Sequence, residues 1–402
     1  MDAKQLREGF YWTGVLDEKL QVFDIIMRTD FGTTYNSYVL CSEGKTVLFE
    51  TVKAGFFDEY LTKLQEVADI TKIDYLVVSH TEPDHAGSVE RLLEYSPGMQ
   101  ILATPCAVGF LKEIVNRDFA AVPVKNGQEI QAGGRTLRFF HVPNLHWPDT
   151  MYTYIPEEQI LVTCDSFGAH YCLPGVTSDQ IVEEKEYESA LQYYFDHIIG
   201  PFKPFMRKAL QVIKPLEISM ICTGHGPVLT GEKAGDAIRQ YERWCAAEEK
   251  KAAKKVVVAY VSAYGYTGLL AGQIEKGLRA AGEGKDLEVC AYDMVTADAS
   301  QVSAALETAD GILLGTPTIL GDALRPIWDL TFCLFPTAYA GKHAGAFGSY
   351  GWSGEGVPNL TERMKQLKMK VCEGLRVRFK PDEAALAKAY EYGREFAEKV
   401  LG

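Results

Sequence analysis

Residues 77–87 read VVSHTEPDHAG, an apolar run that ends in His80, Glu82, Asp84 and His85, four metal-ligand side chains within six positions. Residues 74–79 (DYLVVS) have the composition of a short buried strand, and from Ala86 onward Val89, Leu92 and Leu93 recur at helical spacing. The four ligands are therefore expected in the turn between a strand and a helix. Pro83 fixes its own φ and biases Glu82 away from helical angles, which predicts an extended loop rather than a helix face. Two carboxylates and two imidazoles fanning out from such a loop suit two adjacent metals. Taken alone, the same stretch also reads as a core histidine at a strand end, an Asp84 helix cap and a solvated Glu82.

Three further ligand types follow predicted strands in the same half of the chain. His146 comes after TLRFFHV in NLHWPDT, Asp165 closes ILVTCD, and His225 follows MICT in GHG. Strand ends that deliver ligands to one sheet edge are what a metal site needs. The sum is four imidazoles and three carboxylates, enough for two metals with three terminal ligands each and one shared carboxylate. Around these residues the pattern is strand-rich: YWTGV, VFDIIM, TTYNSYVLC and KTVLFET before the His80 loop, then ILATP, TLRFFHV, MYTYI and QILVTCD. Helical stretches at 57–67 and 107–115 and a long one at 189–213 lead to the strand EISMICT, which together predict two mixed sheets flanked by helices.

Residues 237–255 read as a helix ending in the charge-rich EEKKAAKK, where a domain boundary is expected, with domains at 1–250 and 254–402. Beyond it strands and helices alternate: VVVAYV, 269–280, LEVCAY, 300–308, GILLG, 326–334, HAGAFGSY, 359–367, LRVRF and 383–400. Five such units predict a doubly wound parallel sheet. No GxGxxG or GxxxxGK motif occurs. Instead, residues 254–271 (KKVVVAYVSAYGYTGLLA) run from a strand through a hydroxyl-rich turn into a helix. There Ser262, Tyr264, Gly265, Tyr266 and Thr267 can offer hydroxyls and N–H groups to a phosphate. Two more loops leave carboxyl ends of strands. One is Thr316-Pro317-Thr318-Ile319-Leu320-Gly321; the other is Phe347-Gly348-Ser349-Tyr350-Gly351-Trp352-Ser353-Gly354, with Tyr350 and Trp352 as aromatic surface for a ring system.

Composition narrows the partners. The 402 residues, 47% hydrophobic, can bury a large core, and the net charge of −13 argues against nucleic acid or an anionic membrane as the main partner. MDAKQLREGF lacks the apolar core of a signal peptide, and no apolar run approaches the ~20 residues of a membrane span, so a cytoplasmic protein is expected. The nine cysteines are scattered, mostly in apolar runs, and form no CxxC pair; they read as reduced core residues.

HxExDH, LHWPD, a lone Asp at a strand end and GHG resemble the metallo-β-lactamase-like domain of flavodiiron proteins. FGSYGWSG and the two loops before it resemble the FMN-binding loops of that family's flavodoxin domain. The resemblance spans nearly the whole chain. It implies an N-terminal αββα sandwich and a C-terminal flavodoxin-like sheet. By matching positions, His80, Glu82 and His146 would hold one iron, Asp84, His85 and His225 the other, and Asp165 would bridge. Hydrolases of the fold usually carry HxHxDH. Glu82, in place of the second histidine, supplies a hard oxygen donor that favours iron over redox-inert zinc. Among the remaining side chains His170 matches a family position near the site, His141 reads as structural, and Tyr194, Phe167 and Trp147 read as packing. The second flavin loop departs from many relatives, with ILGDALRP where they have an NNG-like turn.

The implied activity is a reductase of dioxygen or nitric oxide that takes electrons from rubredoxin or a similar carrier through FMN. Relatives are head-to-tail homodimers, so a dimer or dimer of dimers is expected. Two other classes remain on the sequence: a dizinc hydrolase, and an electron-transfer protein whose only working centre is FMN.

Overall fold

The computed structural model describes residues 2–24, 27–246 and 253–402. The chain divides into two compact units, Met1–Ala247 and Glu248–Gly402. The junction, with most of the charge-rich stretch expected to mark the boundary, lies outside the described residues.

The first unit has four layers, built on strict alternation along its strands. One sheet runs in the order Lys4–Arg7, Phe10–Trp12, Tyr38–Ser42, Lys45–Phe49, Tyr75–Val77, Gln100–Ala103 and Ala120–Pro123. Val39, Leu48, Leu76 and Ile101 point to its outer face, where they meet the helices Phe57–Val67, Val89–Tyr95 and Pro105–Val115. Their neighbours Leu40, Val47, Val77 and Leu102 point inward. There they meet Phe139, Met151, Val162 and Cys222 of the second sheet, ordered Glu129–Ala132, Arg135–His141, Met151–Ile155, Ile160–Cys164, Met220–Thr223 and Leu229–Thr230. The outer face of that sheet, with Phe140, Tyr152 and Leu161, is covered by Glu184–Tyr194, Lys203–Ile213 and Glu232–Cys245. The result is an αββα sandwich.

The second unit is a parallel sheet ordered Leu287–Asp293, Lys254–Tyr260, Gly311–Gly315, His343–Tyr350 and Lys370–Val371, with Leu375–Arg378 also pairing the fourth strand. In chain order this is 2-1-3-4-5, the flavodoxin-like pattern. Val256, Val258 and Leu313 face the helices Tyr266–Ala281 and Glu383–Leu401, while Val257, Ile312 and Ala346 face Ala299–Glu307, Arg325–Phe332 and Gly356–Gln366. Helices therefore cover both faces, as a buried parallel sheet requires.

Several local expectations are corrected. The helix expected over 237–255 stops at Cys245, and Lys254 and Lys255 open a strand. The run VVVAY pairs with strands on both sides and carries the two lysines with it. The helix expected over 189–213 is interrupted at Phe195–Ile199 and Gly200–Phe202, where Pro201 and Pro204 cannot donate the N–H groups that a continuous helix needs. VFDIIM is no single strand: Val22–Phe23 and Met27–Arg28 pair with each other, and residues 25–26 lie outside the described residues.

Candidate metal centre and cofactor loops

Four loops at one edge of the sandwich carry the seven ligand side chains. They follow Tyr75–Val77, Arg135–His141, Ile160–Cys164 and Met220–Thr223. The first loop is not wholly extended as expected. Glu82 is extended, with φ −56 and ψ 139, but Pro83–Ala86 form one helical turn that carries Asp84 and His85. Pro83 restricts the residue before it and is itself at home at a first helical position, so the break falls between Glu82 and Asp84.

The structure brings all seven together in two groups. Glu82 Oε2 lies 2.9 Å from His146 Nε2 and 3.1 Å from His80 Nε2. Asp165 Oδ2 faces the same two imidazoles at 3.5 and 3.4 Å. On the other side Asp84 Oδ2 lies 3.0 Å from His225 Nε2 and 3.5 Å from His85 Nε2, and Asp165 Oδ1 faces them at 3.5 and 3.0 Å. Each group offers one donor atom per residue within 4.8 Å of the others, and Asp165 turns one oxygen to each.

The charges within this cluster are mutually dependent. Burial pushes the His80 imidazole down, but Asp149, Glu82 and Asp165 outweigh it and lift it to about 10. His85 is raised in the same way, its burial overcome chiefly by Asp84. Burial would raise Glu82 and Asp165, yet the imidazoles around them hold both below the usual carboxylate range. Neither Asp84 oxygen nor Asp165 Oδ2 makes a hydrogen bond among the described residues. Carboxylate lone pairs and imidazole nitrogens aimed at the same two points fit cations of N and O preference.

Other groups close around the site. His225 Nδ1 donates to Thr34 O at 2.6 Å, and Phe23 packs on the rings of His225 and His170. His170 is buried with Nδ1 2.9 Å from Thr33 Oγ1; burial, then the charge of His225, hold it far below its ordinary range, so it is neutral. His141 bonds Val124 O and is structural. Phe167 packs on Tyr241, but Tyr194 does more than pack: its hydroxyl donates to Asp165 Oδ1 at 3.2 Å. Trp147 stands edge-on to His80.

Sequence reasoning passed over four neighbours. Asp149 contacts His80 Nδ1, Glu50 accepts from Ser79 N, and Cys164 forms a donor group with His85 and Asp165. Asp24, beside the Val22–Phe23 strand, has its carboxyl raised by burial, then by Glu82 and Asp84. Only the position of Asp149 within LHWPD gave a local signal.

In the second unit the three loops leave the same edge, since Tyr260, Gly315 and Phe347 lie in register, and the last of these three strands runs on to Tyr350 before its loop. Gly265, with φ +81, opens the helix Tyr266–Ala281, and a Cβ there or at Gly321 would meet open space. Ser262 Oγ accepts from Gly268 N, and Thr267 and Ser349 bond each other through their buried hydroxyls, tying the first and third loops together. Thr318 N donates to Ser349 O and ties in the second. Tyr264, Leu320 and Trp352 stand exposed around them, whereas Tyr350 is half-buried. A helix N-terminus, flanking glycines and exposed aromatic surface on three adjoining loops fit a flavin mononucleotide.

Residues 33–226 match the ODP family beta lactamase model, and residues 258–393 match flavodoxin. The Flavo-diiron protein FprA2 of Clostridium acetobutylicum is 38% identical over 403 residues, covering 100% of both chains. The chain belongs to the flavodiiron proteins. A nitric oxide reductase of Moorella thermoacetica is 34% identical to this flavodiiron protein, over 98% of each chain. The solved structure of rubredoxin oxygen:oxidoreductase from the anaerobe Desulfovibrio gigas has 27% identity and a TM-score of 0.70, covering 99% of this chain and 98% of that one. Among the described residues no helix is long and apolar enough to cross a membrane.

Proposed function

We propose that this flavodiiron protein is a cytoplasmic reductase that passes electrons from a rubredoxin-type donor through FMN to two iron ions, reducing dioxygen to water, nitric oxide to nitrous oxide, or both. The observation that carries the reading is Asp165, whose two oxygens face two separate sets of donors. In this reading His80, Glu82 and His146 hold one iron, Asp84, His85 and His225 hold the other, and Asp165 is shared. Bound there, two ferrous ions and a reduced flavin supply the four electrons that dioxygen needs, or the two needed by a pair of nitric oxides. Glu82 gives the first set a hard anionic donor, which favours iron over the zinc of a hydrolase.

The chain's own residues perform the rest. Tyr194 donates to the shared carboxylate and orients it. Neutral His170 and the Phe23 ring wall off His225 from water without adding charge. In the second unit Ser262, Tyr264, Gly265, Tyr266 and Thr267 cradle the FMN phosphate at a helix N-terminus. Pro317, Thr318, Ile319, Leu320 and Gly321, with Ser349, Tyr350, Gly351, Trp352 and Gly354, hold the ring. The metal and flavin sites belong to different units, and a head-to-tail homodimer, or a dimer of such dimers, supplies the electron path between them. The names of the relatives support the two substrates and the rubredoxin donor.

The test is consumption of dioxygen and of nitric oxide, in separate assays, by iron- and FMN-loaded protein with reduced rubredoxin. Turnover of either supports the reading and ranks the substrates. Silence with both, in protein that holds two irons and FMN, would leave an electron carrier. Zinc in place of iron would return the hydrolase.

A further inference from the structure

The two halves of the metal cluster are braced differently. His80 Nδ1 lies 3.2 Å from Asp149 Oδ1, and both side chains are fully buried. Asp149 is itself held on three counts. Its Oδ2 accepts from Thr81 N at 2.9 Å and from Thr81 Oγ1 at 2.7 Å, and its backbone oxygen accepts from Thr104 Oγ1 at 3.0 Å. The loop that carries His146 therefore also carries, three residues on, the carboxylate behind His80. Each loop locks the other: Met151 N donates to Ser79 O at 2.9 Å just outside the pair. In the other half, His225 Nδ1 meets the neutral carbonyl of Thr34.

A carboxylate on Nδ1 keeps the proton there. When a cation takes the place of the Nε2 proton, that carboxylate fixes the ring plane and makes Nε2 a stronger donor. A backbone carbonyl fixes the tautomer too, but adds no charge. We propose that Asp149 is a positioning residue for His80, and that through it the His80–Glu82–His146 half becomes the tighter of the two iron sites. This rests on the diiron reading of the cluster, and its test separates the two.

The experiment is anaerobic titration of metal-free, FMN-loaded protein with ferrous iron, followed by iron analysis and Mössbauer spectroscopy, for the wild type, Asp149→Asn, Asp149→Ala and Thr81→Val. The wild type is expected to bind two irons per chain in two steps. Fewer than two would refute the diiron reading itself, whatever the variants do. Asp149→Asn keeps the shape but offers an amide to Nδ1; it is expected to weaken one iron by about 10- to 100-fold, leave the other unchanged and keep FMN. The Mössbauer signal lost should be that of the iron bound first. Thr81→Val, which keeps the carboxylate, should lose less. Two irons bound as in the wild type by Asp149→Asn would overturn the proposal. So would equal weakening of both, which would mark Asp149 as a support of the fold. Should Asp149→Ala fail to fold, Asp149→Asn decides alone, with its metal-free unfolding temperature as control.

Discussion

Glu50 offers a direct measurement of what the buried cluster costs without its cations. It follows the strand Lys45–Phe49 with φ +59, is 1% exposed, accepts from Ser79 N at 2.9 Å through Oε1, and has no hydrogen-bond partner among the described residues on Oε2. Burial lifts its carboxyl from 4.5 to about 7, against the pull of His85 and Ser79. At about 1.4 kcal/mol per tenfold change, the ionised side chain destabilises the fold by about 3 kcal/mol. The direction follows from the protons. Between 4.5 and about 7 the folded protein keeps a proton that the unfolded chain has lost, so stability falls as pH rises through that window and levels off above it. Glu50→Gln keeps an oxygen for Ser79 N and never ionises. Urea unfolding of chelator-treated wild type and variant across the window isolates the effect as a difference. The variant is expected to gain about 3 kcal/mol on the wild type between the acid and alkaline ends. Iron should shrink the gap, because cations beside His80 and His85 favour the ionised Glu50. A difference that stays flat within about 1 kcal/mol across the window would refute the reasoning.

Glu82→Ala and His225→Ala should each keep FMN, lose iron and lower dioxygen or nitric oxide turnover by at least about 100-fold, beyond what outer partners of a ligand typically contribute; full activity would sink the ligand assignment. At the crossing of Tyr266–Ala281 and Glu383–Leu401, a Cβ on Gly277 would overlap the Tyr390 carbonyl and one on Gly393 that of Ile274. Gly277→Ala should cost about 1–3 kcal/mol, seen by calorimetry as a lower unfolding temperature for the second unit. A Cβ on Gly348 would overlap Thr316 O between the second and third flavin loops, so Gly348→Ala should weaken FMN by at least about tenfold, read from flavin fluorescence.

The fold was legible where a face repeats. Val39, Leu40, Val47 and Leu48 alternate between two cores, and the βα rhythm after Lys254 needs only strand length and helix period. It was illegible where proline acts late, as at Pro201 and Pro204, because apolar periodicity continues through a break that hydrogen bonding imposes. That the seven side chains cluster was legible because each lies in a loop that follows a strand and their chemistry is unusual in a loop. Glu50 and Tyr194 were not, since a buried acid or a phenol in sequence looks like a cap or a core residue, and the place of Asp149 in LHWPD did not name its partner. Only the fold brings Asp149 across 69 positions to His80.

The division of HTEPDH between two sets of donors follows from one change of backbone. His80 and Glu82 are two apart, with Glu82 extended, and their side chains meet each other and His146 on one side. At Pro83 the chain turns helical, and the Glu82 carbonyl accepts from both His85 N and Ala86 N at 2.9 Å. That turn carries Asp84 and His85 round to His225. Four residues with continuous spacing would otherwise crowd their charges on one point. The Glu82 side chain thus belongs to the first set, while its backbone oxygen anchors the turn that builds the second. Asp165 spans the two points, its Oδ2 facing His80 and His146 and its Oδ1 facing His85 and His225.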